Sequence, residues 1–404
     1  MKNGRVKLGE LCNVVTKGTT PTSLGYAFVS VGIPFLRIQN LGNSTVSLKK
    51  VLYINEETHQ ALKRSIIKPK DFLITIAGTI GRVAIVPDDF PECNCNQAVA
   101  ILRFDQEKLY PQYLLHWLST NDAIGQISGK KVTATISNLS LGQIKELEIP
   151  LPPLAEQKRI AGILDKADNL RRKRQQAIKL ADEFLRAVFL DMFGDPVTNP
   201  KEWKHTSLGS LVIDWTPGVT IQPNEFTEKG FPVLHKGAVQ RNGKLKFDTR
   251  KKTHTSYEFA ESNIKAAIDG DYIAVNLRDL VPTGPSIGLM SDLSRYGDKK
   301  YLLAYGAYGF KVDRGAVSPE YLVALTNQKG FRKELAKVWV GSTQIHIRKD
   351  DFFQLKIPFP DYELQHKYQL IVDRVRSSLA NSMESFCSED LFYSLSQKAF
   401  AGEL

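Results

Sequence analysis

Cys93 and Cys95 stand two apart, a spacing that supplies half of a tetrahedral zinc site. No second Cys or His pair lies near them, so two strand residues in a core are the expected reading, and no metal or other cofactor is expected. The seven histidines show no ligand spacing; His235 and His346 fall in strand or loop contexts that suit a structural role or a contact. "GQISGKK" at 125–131 lacks the four-residue spacing of a phosphate loop, and no G-x-G-x-x-G follows a strand pattern. "PDDF" at 87–90 is not followed by the acidic-x-Lys pair of common nucleases, and the Asn/Asp-Pro-Pro-aromatic string of adenine-N6 methyltransferases is absent. An enzyme is therefore not expected.

Charge points elsewhere. The 404 residues carry a net +11, distributed as +5 over 1–150, +2 over 151–198, +7 over 199–357 and −3 over 358–404. Two basic blocks of this kind attract a polyanion such as DNA through phosphate contacts and counterion release. No window of about eighteen apolar residues could span a bilayer. The N-terminus "MKNGRVKLGE" lacks the apolar core of a signal peptide, and four scattered cysteines suit a reducing compartment, so a cytoplasmic location is expected.

The elements that must position any contact residues are repeated. An offset of 208 pairs Leu147 with Leu355, Ile149 with Ile357, Pro150 with Pro358, Gln157 with Gln365, Asp165 with Asp373 and Gly194 with Gly402. Pro111, Tyr113 and Leu114 fall over Pro319, Tyr321 and Leu322 at the same offset, and "GIPFLRI" at 32–38 is matched by "GFPVLHK" at 230–236. A period of about 200 residues is a domain duplication, far longer than a solenoid repeat.

Each copy changes character along its length. Short β-branched and aromatic runs ("DFLITIA", "GRVAIVP", "QAVAILRF", then "DYIAVNL" and "GAYGFKV") are broken by Gly, Pro and Asn, and shorter helical patterns follow at 110–127 and 318–338. From Leu154 to about Leu190 there is no Pro and one Gly. Ile160, Ile163, Ala167, Leu170, Ala177, Ala181, Phe184 and Val188 recur there at spacings of three and four, interrupted by Arg174. That narrow stripe asks for a partner helix, and residues from about 362 to 400 offer one. The fold class is thus α+β: two similar units, each a β-rich mixed globular part followed by a long helix, the helices packed as an antiparallel coiled coil. The boundaries read as 1–150, 151–195, 196–357 and 358–404.

The stretch "LEIPLPPLAEQKRIAGILDKADNLRRKRQQAIKLADEFLRAVFLDMFGDP" resembles the central conserved region of the DNA-specificity subunit of type I restriction-modification systems. "LFYSLSQKAFAGEL" is similar to the end of that family's second conserved region, while "PDYELQHKYQ" is a degenerate copy of its Pro-Pro-x-x-Glu-Gln string. The resemblance implies two target recognition domains that read the halves of a bipartite DNA sequence. It also implies helices that space them and dock two methyltransferase subunits, with restriction subunits joining through these. The subunit itself would be non-catalytic.

Phosphates are contacted by Lys, Arg, Ser, Thr and backbone amides, and base edges chiefly by Arg, Lys, Asn and Gln. On that basis the expected DNA contacts in the first domain are Lys17, Thr19, Thr20, Arg37, Gln39, Asn40, Thr79, Arg82, Lys130, Lys131 and Thr133. In the second they are His235, Lys236, Asn276, Arg278, Lys299, Lys300, Tyr305, Ser342, Thr343, Gln344, His346 and Arg348. Any one of them also suits a plain solvated surface, and "RRKR" at 171–174 suits a solvated face or a docking surface. Two other classes stay open: a stand-alone bipartite DNA-binding regulator, and a coiled-coil adaptor without a methyltransferase partner.

Overall fold

The computed structural model describes residues 4–42, 44–128, 138–247, 252–383 and 389–403. It divides into two units, Met1–Arg174 with Phe386–Leu404, and Gln175–Ser385.

In the first unit an antiparallel sheet runs in the order Cys12–Lys17, Val99–Phe104, Phe72–Thr75, Val83–Ile85. Side chains alternate across a strand, and here both faces are covered. Phe72, Ile74, Ala100 and Leu102 pack with Tyr113 and Trp117 of the helix Pro111–Trp117. Leu73, Val99 and Ile101 pack with Leu36, Cys93 and Cys95 of a second sheet. This two-sided burial is why "FLIT" and "VAIL" are continuous apolar runs instead of alternating ones. The second sheet, ordered Leu52–Ile54, Ile33–Leu36, Cys93–Cys95, Ile66–Ile67, contains one parallel pair, Ile33–Leu36 with Cys93–Cys95. Burial pushes the Cys93 thiol up to about 12 and raises Cys95 as well, so both stay protonated core residues at neutral pH.

The second unit repeats the plan. Its antiparallel sheet runs Val212–Pro217, Ala307–Val312, Ile273–Asn276, Met290–Asp292. Ile273, Val275, Phe310 and Val312 face Tyr321, Leu322 and Leu325, and Ala274 and Ala307 face Leu234, Ile268 and Leu303. The parallel pair of its other sheet is Phe231–Leu234 with Tyr301–Leu303.

Each unit closes its proline join in the same way. Arg5–Lys7 pairs with Glu148–Pro150, and His205–Ser207 with Lys356–Pro358. The Tyr113 hydroxyl donates to the Pro150 carbonyl at 2.8 Å, as Tyr321 does to Pro358 at 2.6 Å. The buried Gln157 amide accepts from Tyr110 N at 2.8 Å and donates to the Lys108 and Pro152 carbonyls, both at 2.9 Å. Gln365 likewise accepts from Ser318 N at 3.0 Å and donates to the Pro360 carbonyl at 2.7 Å. The second join therefore keeps its clamp despite the degenerate string around it. Replacing Gln365 by Leu strands a buried N–H and a buried carbonyl at about 1–3 kcal/mol each. Urea unfolding of the Gln365→Leu chain is expected to show a loss of about 3 kcal/mol.

One helix, Leu154–Phe193, follows the first join directly, started by Pro153 and stopped at Gly194, whose φ of +80° suits the left-handed position after a helix. Its first part places Ile160, Ala161 and Leu164 in the first unit's core beside Ala399 of the helix Glu389–Ala401. Its last part places Phe189 and Phe193 in the second unit's core against Tyr321 and Tyr368, the latter on the helix Tyr362–Met383. The buried stripe corrects the sequence expectation. Leu170 and Phe184 are 38% and 51% exposed. The face turned inward takes in Gln157, Ile160, Ala161, Leu164, Asp168 and Arg171, then Ile178, Asp182, Leu185 and Phe189, so the expected stripe is met at Ile160 and missed by one residue at Leu170, Ala177 and Phe184. Polar side chains occupy its middle because they find partners there: Asp168 holds Arg171 at 2.7 Å and Arg172 at 2.6 Å, and Asp182 takes Lys244 at 3.1 Å. Among the described residues no helix is long and apolar enough to cross a membrane.

Candidate nucleic-acid interface

In each unit the strands of both sheets end at one edge, and the loops leaving them carry most of the expected contact residues. In the first unit Cys12–Lys17 and Phe72–Thr75 run the same way on either side of Val99–Phe104. A backbone bond from Thr19 N to Cys95 O ties the first sheet's edge to the second, while Asn96 N to Leu36 O and Ile76 N to Ala98 O close strand ends within the second and the first sheet. Gly18 makes this closeness possible: a Cβ there would meet the Cys95 carbonyl oxygen at 2.0 Å. Lys17 ends the first strand and Thr19 and Thr20 follow it, with Thr20 bonded to Gln97. Arg37 and Gln39 follow Ile33–Leu36, and exposed Thr79 lies in the loop after Phe72–Thr75. Arg37 donates to the Lys50 carbonyl at 3.2 Å, while its Nε is buried without a hydrogen-bond partner.

Two residues are placed differently. Asn40 is fully buried: it accepts from Arg37 N at 3.0 Å and donates to the Ser47 and Lys49 carbonyls, so its amide shapes the loop. Arg82 lines a cavity of about 340 Å³ with Arg171, Arg172 and His116. Arg171 also lies 5.1 Å from the centre of the Phe392 ring. Lys130, Lys131 and Thr133 lie outside the described residues.

The second unit builds its edge from equivalent loops. Tyr305 N donates to Val219 O at 2.8 Å, Ala304 N to Leu234 O at 3.0 Å and Leu277 N to Gly306 O at 3.3 Å. Arg278–Asp279 pairs with Ile345–His346, putting Arg278 opposite His346. The Arg278 guanidinium sits 4.8 Å from the centre of the half-exposed Tyr305 ring, a cation–π contact worth about 0.5–1 kcal/mol at an exposed position. Gly306, at φ +92°, leaves room for both neighbours, since a Cβ there would lie 3.2 Å from Arg278 Cβ and 3.6 Å from Lys236 Cβ. Exposed Ser342, Thr343 and Gln344 cap the turn closed by the bridge of Val340 to His346, and Arg348 is exposed two residues beyond. His235 turns its Nδ1 to the Lys236 carbonyl at 2.7 Å, and its Nε2 is buried without a partner.

Lys299 and Lys300 stand apart from this cluster. They precede the strand Tyr301–Leu303 whereas Tyr305 follows it, a separation of roughly 15–20 Å at strand rise. Asn276 is fully buried, its amide directed to the Val239 carbonyl at 3.4 Å. Sequence reasoning missed Gln97 and the loop Pro217–Thr220. Gly218 repeats the close approach of Gly18, its Cβ position 2.1 Å from the Ala304 carbonyl oxygen. The signal was the T-x-G-x-T pattern shared by 16–20 and 216–220.

The chain is similar in sequence and fold to known proteins. Over 248 residues the chain is 27% identical to the type I restriction enzyme MjaVIII specificity subunit of Methanocaldococcus jannaschii, spanning 58% of this chain and 55% of that one. It is 25% identical to the type I restriction enzyme EcoBI specificity subunit of Escherichia coli over 177 residues, 43% and 37% of the two chains. The chain thus spans about half the length, or less, of the curated relatives it matches. A crystal structure of the type I restriction-modification system S subunit from M. genitalium superposes with a TM-score of 0.58 at 15% identity, covering 99% of this chain and 95% of that one, which shows a shared fold. The family model of the type I restriction modification DNA specificity domain matches twice, at residues 2–180 and 200–383, and the chain belongs to that family.

Proposed function

We propose that this chain is the DNA-specificity subunit of a type I restriction-modification enzyme and reads an asymmetric, two-part DNA sequence, one half per unit. The observation that carries the reading is the duplicated strand-end edge, the same backbone in both units furnished with different side chains: Lys17, Thr19, Arg37 and Gln39 in one, Lys236, Arg278, Tyr305 and His346 in the other. Similar frames suit similar half-site geometry, and unlike side chains suit unlike bases. The remaining candidates, half-buried Thr20 and exposed Thr79, Ser342, Thr343, Gln344 and Arg348, serve the same face or the flanking phosphates. The target recognition domains are 1–150 and 196–357. The helices within 151–195 and 358–404 pair antiparallel, fix the half-site spacing and dock two methyltransferase subunits, through which restriction subunits join. The chain supplies recognition and no chemistry, and needs no cofactor.

Mapping of methylated bases in cells carrying the chain with its methyltransferase tests this. A bipartite motif with two unlike halves is expected, and a continuous motif or none would remove the reading. Deleting seven residues from within 165–185 keeps the heptad register and should shorten the gap of that motif while leaving both halves unchanged.

A further inference from the structure

Leu280 and Val281 are 53% and 47% exposed, yet their loop is firmly tied down. Asp279 accepts from Val281 N at 3.0 Å through one carboxylate oxygen, and from Ser286 N at 3.0 Å and Ser286 Oγ at 2.7 Å through the other. Gly284 N donates to Val281 O at 2.9 Å. Arg332 donates to the carbonyls of Gly284 at 2.8 Å and Pro285 at 3.3 Å, and also to that of Ile287. Two aliphatic side chains are thus held in water by a loop with no freedom to fold them in.

Their neighbours narrow the choice of occupant. Leu280 and Val281 lie two and three residues beyond Arg278, within about 8–11 Å of it along the chain, next to the strand pair that carries His346. The one carboxylate in this stretch, Asp279, is buried and spent on the loop. An apolar knuckle beside cations, with no free acid of its own, suits a ligand that is anionic overall and locally apolar. Duplex DNA offers that combination in the major groove, where the thymine C5-methyl stands beside base edges read by guanidinium and amide groups.

We infer that Leu280 and Val281 form an apolar contact with a thymine methyl in the half-site read by the second unit, an inference that rests on the proposed DNA reading. The test uses the full chain assembled with its methyltransferase and duplexes in which each thymine of that half-site is replaced, one at a time, by uracil, which removes only the methyl. One such replacement should weaken binding by the wild-type chain about 3- to 10-fold. The Leu280→Ser/Val281→Ser chain, checked for native circular dichroism, should bind the thymine and uracil duplexes equally. Sequence-specific binding that ignores every uracil, or a second half-site with no thymine, overturns the contact and leaves the DNA reading standing. A wild-type complex that binds no duplex sequence-specifically removes both.

Discussion

Glu320→Ala is expected to lower the stability of the second unit by about 3–5 kcal/mol, the cost of leaving buried charge without its counter-charge. Glu320 is 3% exposed in the first turn of the helix Pro319–Asn327. Arg376 Nη1 reaches its Oε1 at 3.0 Å, and Arg295 contacts the same oxygen. Both guanidiniums also share the Asn242 carbonyl, Arg376 at 3.2 Å and Arg295 at 3.4 Å. Burial first, and the neighbouring Arg376 charge second, push the Arg295 guanidinium down to about 9, so it is still protonated at neutral pH. Without the carboxylate two like charges face each other, that of Arg295 largely buried and that of Arg376 about a third exposed. Thermal unfolding should show a transition about 10 °C lower, at roughly 2–4 °C per kcal/mol for a unit of this size. Glu320→Gln, which keeps an acceptor, should lose less, and Glu320→Ala combined with Arg376→Met should recover part of the loss. A Glu320→Ala chain as stable as the wild type would mean that water or a rearranged Arg376 already neutralises the cluster.

How much of this was legible beforehand differs between backbone and side chains. The offset of 208 marked the duplication, and the apolar runs "DFLITIA", "QAVAILRF", "DYIAVNL" and "GAYGFKV" each contain an observed strand. The proline-free stretch after Pro153 is the helix Leu154–Phe193. Apolar periodicity found the buried face of that helix at Ile160 and missed it at Leu170, Ala177 and Phe184, each one residue, about 100° of rotation, short of an inward neighbour. Hydrophobicity cannot register an inward Asp168 or Asp182 whose cost is offset by Arg171, Arg172 or Lys244. The Glu320 cluster was invisible for a related reason. The offset places Gln112 and Asp168 where the second unit has Glu320 and Arg376, so the repeat preserved a frame while the charges on it changed. At the candidate interface residue type singled out loops and said nothing of the direction of each side chain. Asn40 and Asn276 have the chemistry of base readers, and their burial commits them to the protein's own carbonyls.

That distinction yields the prediction with the largest expected effect on recognition. Arg278→Ala should reduce affinity for the bipartite duplex about 10- to 100-fold, the worth of one good guanidinium-to-base contact. The loss should be concentrated at one position of the half-site read by the second unit. Tyr305 keeps the guanidinium over its ring at 4.8 Å, so Tyr305→Phe, which retains the ring, should bind nearly as the wild type does, and Tyr305→Ala should lose several-fold. Lys299→Ala/Lys300→Ala removes two charges from the far end of the strand and should stay within about two-fold. Titration at several salt concentrations separates the remaining possibilities. A base-reading Arg278 leaves specificity relaxed at its position, whereas a phosphate contact weakens all sequences alike and lowers the salt slope by about one. Equal binding by Arg278→Ala and the wild type, with a large loss in the double lysine variant, would move the interface to the opposite end of the sheet.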